Sequence, residues 1–463
     1  MTVSTRVSRV AHVPAVPLAL CGLAASVLAA HLLAQPQPPA PPALLITGAR
    51  ILDPVAGQYL PAAAVLIENG RIRSITPKSP DPLPSDTQTI AATGQTIVPG
   101  LIDAYASAAP TPDLDASYFA RMALAHGVTA TRALNLQTTW SVSQRTRVEA
   151  GGTLAPRMWV SGRGIDQGAR PDLWLVDAPN AAIAANEAQR QVAAGVNWIA
   201  GFDHLPPDVY KAIVAATTGT GVRVSAMPGA SSMADLASAG VHTIDTLAWP
   251  IAARKSADDA AAADRAWTDT PAPALAALAT QLARSQIALV PLLASSMIQA
   301  FPQDVARDAS LALLPEARQR ALLDRAIAVT VTDTRRARRV WAAQTAFLTR
   351  FVKAGGRISI GTGFDLAGYP VPGAGVHTEM AALVRAGLTP ADAIRAATTN
   401  AVAMLGTEGA AGTIAAGADA DLLIVEGDPL ATIGDLSRIT HVVRRGELLE
   451  PARLRDRARA GIK

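Results

Sequence analysis

The chain has 463 residues, half of them hydrophobic, 17% charged and only 4% aromatic. That balance excludes intrinsic disorder, which needs low hydrophobicity and high net charge, and it supports a well-buried globular core. The formal charge is +4, from 41 basic and 37 acidic residues that are mostly scattered, which speaks against a nucleic-acid partner.

Taken in order, the chain opens with Arg6 and Arg9 followed by an apolar run from Val13 to Ala34. This reads as a secretory signal peptide or an uncleaved membrane anchor over residues 1–34, with cleavage after Ala34, or after Ala29 or Ala30. The expected location is periplasmic or secreted, with inner-membrane anchoring if the segment stays attached. The single cysteine, Cys21, falls inside this segment, so the mature chain would hold no disulfide and no thiolate metal site. Residues 35–42, QPQPPAPP, form a proline-rich linker of extended polyproline character.

Leu44 to Ile75 alternate apolar and polar positions around turn signals, and Glu68, Asn69 and Gly70 predict a hairpin turn. From residue 97 to 406 short apolar runs alternate with alanine-rich helical stretches, the pattern of repeated βα units. Strands are expected at 97–107, 129–134, 158–165, 198–202, 222–227, 243–248, 288–293 and 358–363. Helices are expected at 113–126, 181–194, 207–217, 231–239 and 273–284. An excursion over 302–354 reads as a lid or an outer layer. Residues 407–450 return to strands, and 451–463 read as a short, exposed basic tail. The cluster Arg335, Arg336, Arg338 and Arg339 reads as a solvated helix face.

Several stretches carry a family resemblance: IVPGLID at 97–103, GVTATRAL at 127–134, LTPADAIRAATTNAVAMLG at 388–406 and GTIAAGADADLLIVEGD at 412–428. The chain resembles the amidohydrolase superfamily of metal-dependent hydrolases, in its imidazolonepropionase-like and prolidase-like branch. The resemblance implies an α/β fold, a (β/α)8 TIM-like barrel over 97–406. It implies that the barrel is inserted in a small composite β-sandwich formed by 43–96 and 407–450.

It also implies where metal ligands should stand, and these positions are replaced. The family's first strand continues as His-x-His, whose period of two sends both imidazoles to one face; here the positions are Tyr105 and Ser107. The lysine of the fourth strand falls on Ala200, the histidine of the fifth on Met227 and that of the sixth on Thr246, beside Asp245. The aspartate of the eighth falls on Gly363, with Asp365 two residues later, about 6.6 Å along an extended chain. Phenol, hydroxyl, methyl and thioether groups are poor ligands for a hydrolytic divalent ion. No metal and no other cofactor is therefore expected.

Behind the export segment the histidines are His126, His204, His242, His377 and His441. His126, His242 and His441 read as structural or surface groups. Asp203, His204, Asp365 and His377 are the candidates for residual chemistry, His377 through its place near Glu379 in GVHTEM. The sequence thus points to an exported pseudoenzyme with a small-molecule or partner-binding role. The alternative is a hydrolase of C–N bonds working through a rebuilt or metal-independent site that draws on these groups with Tyr105 and Ser107. A third reading has the chain form homo-oligomers or pair with an active homologue. No nucleic acid is expected, and membrane contact only through the N-terminal segment.

Overall fold

Strands from both ends of the chain lie side by side. In the computed structural model, which describes residues 41–106, 115–168, 175–247, 260–328, 331–363, 371–407 and 411–460, one sheet runs Arg71–Thr76, Ala64–Glu68, Leu44–Thr47, Gln88–Ala91. The second runs Glu447–Leu449, Ile439–Arg444, Leu422–Glu426, Gln95–Pro99, Arg50–Asp53, Gln58–Leu60. The export segment with Cys21 and most of the proline-rich linker lie outside the described residues, as do Ser107 and Asp365. Leu44, Ile46, Ile51, Val65, Ile97, Leu422, Ile424 and Val443 share one apolar core. Asn69 and Gly70, at φ 52° and 75°, make the left-handed pair that a two-residue hairpin requires.

The single strand expected over 97–107 is two strands. Gln95–Pro99 stays in the sandwich, pairing antiparallel with Leu422–Glu426, and Leu101–Ala106 opens the barrel. Gly100 is the crossing point. A Cβ there would stand 2.1 Å from the Thr129 hydroxyl oxygen, so no larger residue lets the chain pass so close to the second barrel strand.

Barrel strands follow in parallel: Leu101–Ala106, Val128–Ala133, Arg157–Val160, Trp198–Gly201, Arg223–Ala226, Thr243–Asp245, Ala288–Val290 and Arg357–Ile358. The third is interrupted. It touches the fourth through Ser161 and Trp198, and resumes as Gly164–Asp166, where Ile165 pairs with Gly201. Closure comes from the Ala104 amide donating to the Ile360 carbonyl at 2.7 Å, so the last strand meets the first. The α/β barrel set into a β-sandwich is therefore the architecture, and its eight strands are those of a (β/α)8 barrel.

Helices with legible start signals alternate with the strands. Ala181–Ala193 is capped by Asn180, and Ser232 with Asp235 and Thr389 with Asp392 close capping boxes. Within the expected excursion, Val331–Lys353 belongs to the outer layer: Phe347, Leu348 and Phe351 are buried in the main apolar cluster with Leu275 and Leu282 of the helix Ala272–Arg284. The expected exposed tail is instead a docked helix over Pro451–Arg459. Leu454 and Ala458, four residues apart and thus on one helical face, are buried, and Ala458 packs in a cluster with Tyr118, Phe119 and Met122. Among the described residues no helix is long and apolar enough to cross a membrane.

Candidate functional site

Chemistry in such a barrel is built at the C-terminal ends of its strands. Tyr105, Ala200 and Met227, three of the positions to which the resemblance assigns metal ligands, lie in one apolar cluster with Trp198, Phe202, Val290 and Leu292. Tyr105 is fully buried, and burial, followed by the nearby charge of Asp245, holds its phenol well above the ordinary range. Thr246 donates its amide to the Val290 carbonyl at 2.7 Å from a left-handed φ of 75°, a strained state for a β-branched residue. Gly363, also left-handed at φ 55°, donates its amide to the Tyr105 carbonyl at 2.8 Å. A phenol that does not ionise, a methyl group, a thioether and a glycine do not fit the donor set of a hydrolytic divalent centre.

A charged pair that the sequence reading did not single out crosses the barrel interior. Arg132, from the second strand, reaches Asp245 on the sixth at 2.8 Å, and both side chains are buried. The same guanidinium donates to the Thr243 hydroxyl at 3.0 Å and to the Ala104 carbonyl, and it lies 4.5 Å from the Trp198 ring centroid. Burial pushes the Asp245 carboxyl up, opposed by Arg132 and by hydrogen bonds from Thr243 and Ser225. Arg132 stands in GVTATRAL, where its strand position was legible but its partner four strands away was not.

Asp203 and His204, proposed from sequence as one pair, are brought together with a third group, Asp166. The His204 amide donates to Asp166 Oδ1 at 3.0 Å, and His204 Nδ1 lies 3.0 Å from Asp166 Oδ2. Asp166 and Asp203 are buried and His204 is partly open. One donor atom from each of the three lies within 4.8 Å of the others. Asp166 ends the resumed third strand, one residue past the expected bound at 165. A carboxylate at the C-terminal end of a predicted barrel strand was the signal that could have found it.

His377 is engaged elsewhere. Its Nε2 lies 2.8 Å from the His126 carbonyl, the two rings are 6.5 Å apart, and His126 Nδ1 lies 2.8 Å from the Met122 carbonyl. Burial pulls the His126 imidazole down to about 4 and that of His377 down as well. Glu379 caps the helix Leu293–Ala300, accepting the amides of Leu293 at 2.7 Å and Ala294 at 2.6 Å. Its carboxyl is pushed up to about 7 by burial, against those two amides. Asp103, of PGLID, accepts from the Thr362 hydroxyl at 2.6 Å and the Tyr105 amide at 3.1 Å, joining the first strand to the chain beyond the eighth. His242 Nδ1 accepts from the Val224 amide at 3.0 Å, and His441 Nδ1 lies 3.2 Å from the Thr440 hydroxyl, both structural contacts.

The sequence pattern of the amidohydrolase family matches residues 294–449, the segment from the helix Leu293–Ala300, just beyond the seventh barrel strand, to the closing sandwich strands. Over that stretch, about a third of the chain, the sequence is similar to the amidohydrolase family. Solved structures agree over most of the chain. A putative prolidase from Bifidobacterium longum is 23% identical, with a TM-score of 0.68 over 91% of this chain and 100% of its own. Bottromycin amidohydrolase is 21% identical, at 0.69 over 92% and 90%, and a Xaa-Pro dipeptidase with methionine in its active site is 17% identical, at 0.66 over 88% and 100%. At these identities the likeness is one of fold. No curated protein matches the chain at the level of sequence.

Proposed function

We propose that this amidohydrolase-superfamily chain is a non-hydrolytic member, an exported pseudoenzyme whose barrel mouth binds a small molecule or a partner instead of cutting C–N bonds at the usual metal centre. The observation that carries the reading is the apolar packing of Tyr105, Ala200 and Met227 against Val290 and Leu292, where the resemblance calls for ligands. In the standard mechanism a bound metal lowers the pKa of its water to near 7 and polarises the scissile carbonyl. None of these side chains supplies that chemistry. Export rests on the apolar run from Val13 to Ala34 behind Arg6 and Arg9.

A second reading, hydrolysis of C–N bonds through a rebuilt site, draws on one observation: the hydrogen bond between Asp166 and His204, which would orient an imidazole as a general base. One assay separates the two. The full chain is incubated with Xaa-Pro dipeptides and N-acyl amino acids, with added Zn²⁺ or Mn²⁺ and with chelator, and amine release is followed. Turnover at the buffer rate in every condition is the expected result. A kcat/KM in the ordinary enzyme range, about 10⁴ M⁻¹ s⁻¹ or more, abolished by His204→Ala, would overturn the non-hydrolytic reading in favour of the second.

A further inference from the structure

The C-terminal ends of the third and fourth barrel strands hold a group of side chains that the apolar barrel mouth does not explain. We propose that Asp166, Asp203 and His204 form a binding site for one first-row divalent cation, Zn²⁺ or Mn²⁺. The site is distinct from the positions at which the family resemblance places metal ligands, and it stands whether or not the chain hydrolyses anything.

Donor chemistry is the first argument. Two carboxylates and an imidazole suit Zn²⁺ and Mn²⁺, and a divalent ion balances the two negative charges. The second is convergence. With the three donor atoms within 4.8 Å of one another, side-chain rotations that bring the farthest of them about 1.4 Å closer reach the tetrahedral spacing of about 3.4 Å for ligands held at about 2.0–2.2 Å from a common ion.

Preorganisation is the third. Asp166 takes the His204 amide on one oxygen and faces Nδ1 with the other. When Nδ1 carries the proton, Asp166 acts as the carboxylate that orients a metal-binding histidine, and Nε2 presents the lone pair. In the other tautomer Nδ1 is itself the ligand and Asp166 shares the ion. In the first arrangement His204 and Asp203 are the ligands and Asp166 holds the imidazole from behind; in the second all three are ligands.

The backbone beneath is held from several sides. The Phe202 amide donates to the Ile165 carbonyl at 2.9 Å, which ties the ends of the two strands together. The Ala230 amide donates to the Asp203 carbonyl at 2.7 Å, and the Tyr210 hydroxyl donates to the Phe202 carbonyl at 2.8 Å. The turn at 203–204 is thus fixed by main-chain contacts, so the ligand atoms need only small adjustments. His204 is the partly open member, on the side from which an ion would enter.

The test uses the full chain, stripped with chelator, dialysed and re-incubated with ZnCl₂ or MnCl₂. Bound metal is counted by elemental mass spectrometry and the affinity measured by isothermal titration. The wild type is expected to hold about one ion per chain, and His204→Ala and Asp166→Asn to weaken binding by about tenfold or more. His441→Ala, in the sandwich, is the control for adventitious imidazole binding and should leave the count unchanged. Circular dichroism establishes that each variant is folded; should Asp166→Asn fail to fold, His204→Ala decides alone. Metal at background in the wild type, or affinity unchanged in folded His204→Ala, would overturn the proposal and leave the three residues as a structural hydrogen-bond cluster. Binding without turnover leaves the non-hydrolytic reading intact, whereas binding with metal-dependent turnover removes that reading and keeps the site.

Discussion

Replacing Arg132 with methionine would leave the stem of the side chain in place and strand Asp245 in the barrel interior. The pair is 2.8 Å apart, with side-chain exposures of 0% and 1%, so water cannot take over either charge. Breaking a buried ion pair on one side costs about 3–5 kcal/mol. The hydrogen bonds to Thr243 and Ala104 and the contact with Trp198 are lost as well, which places Arg132→Met toward the upper end of that range. Asp245 already has a raised carboxyl, from burial above all, and without Arg132 it should rise further. A raised acid group contributes stability below its unfolded pKa, and this is lost as pH rises through the folded value. The penalty should therefore be smallest at acid pH, where Asp245 is protonated, and grow as pH rises. Urea unfolding followed by tryptophan fluorescence suits the measurement, since Trp198 lies against the substituted side chain. In Arg132→Met/Asp245→Leu neither charge of the pair remains, and at least half of the loss should return. The reasoning fails if Arg132→Met costs less than about 1 kcal/mol at pH 7, or if the double variant is no more stable than the single one.

Three further outcomes follow from named contacts. Met227, buried in the apolar cluster at the barrel mouth, should cost about 2–4 kcal/mol when changed to alanine, measured by urea unfolding, as a packing residue does; a neutral effect would mean that it is not part of the core. Glu379, with its carboxyl pushed up to about 7 from 4.5, holds a proton in the folded chain that the unfolded chain releases, so its contribution is present below pH 4.5 and lost as pH rises through 7. The stability difference between wild type and Glu379→Gln should shift by about 3 kcal/mol between pH 4.5 and 8, with the opposing titration of His126 cancelling because both proteins carry it; a constant difference would refute the burial argument. Gly229→Ala would put a methyl group 2.1 Å from the Asp203 carbonyl oxygen. Displacing that turn should cost about 1–3 kcal/mol and weaken Zn²⁺ or Mn²⁺ binding, and retention of both properties would show that the turn at 203–204 yields freely.

Much of the architecture was legible in the residues themselves, because it is local. The alternation of apolar runs with alanine-rich helical stretches and the Asn69–Gly70 turn each act within a few positions, and they pointed to the strands and helices of a barrel. The boundary at Gly100 was not legible, since IVPGLIDAYAS is apolar throughout. Only the change of hydrogen-bonding partner, from Leu422–Glu426 to Val128–Ala133, divides it into two strands. The helix Pro451–Arg459 looked like a solvated basic tail because its charge is prominent, while Leu454 and Ala458, which dock it, acquire their role only in the packed fold, Leu454 in the main apolar cluster and Ala458 beside Tyr118, Phe119 and Met122.

The same division runs through the site. One-dimensional order determined that Asp203 and His204 follow the fourth strand, whereas the placing of Tyr105, Ala200, Met227, Thr246 and Gly363 at ligand positions is what the resemblance implies. Tertiary structure alone decided that Asp166 joins that pair across 38 residues of chain, that Arg132 meets Asp245 across 113, and that His377 turns to the His126 carbonyl. Side-chain type and strand position are properties of the chain, whereas a buried charge or a donor atom acquires its partner only when barrel closure brings separate strands to within hydrogen-bond reach.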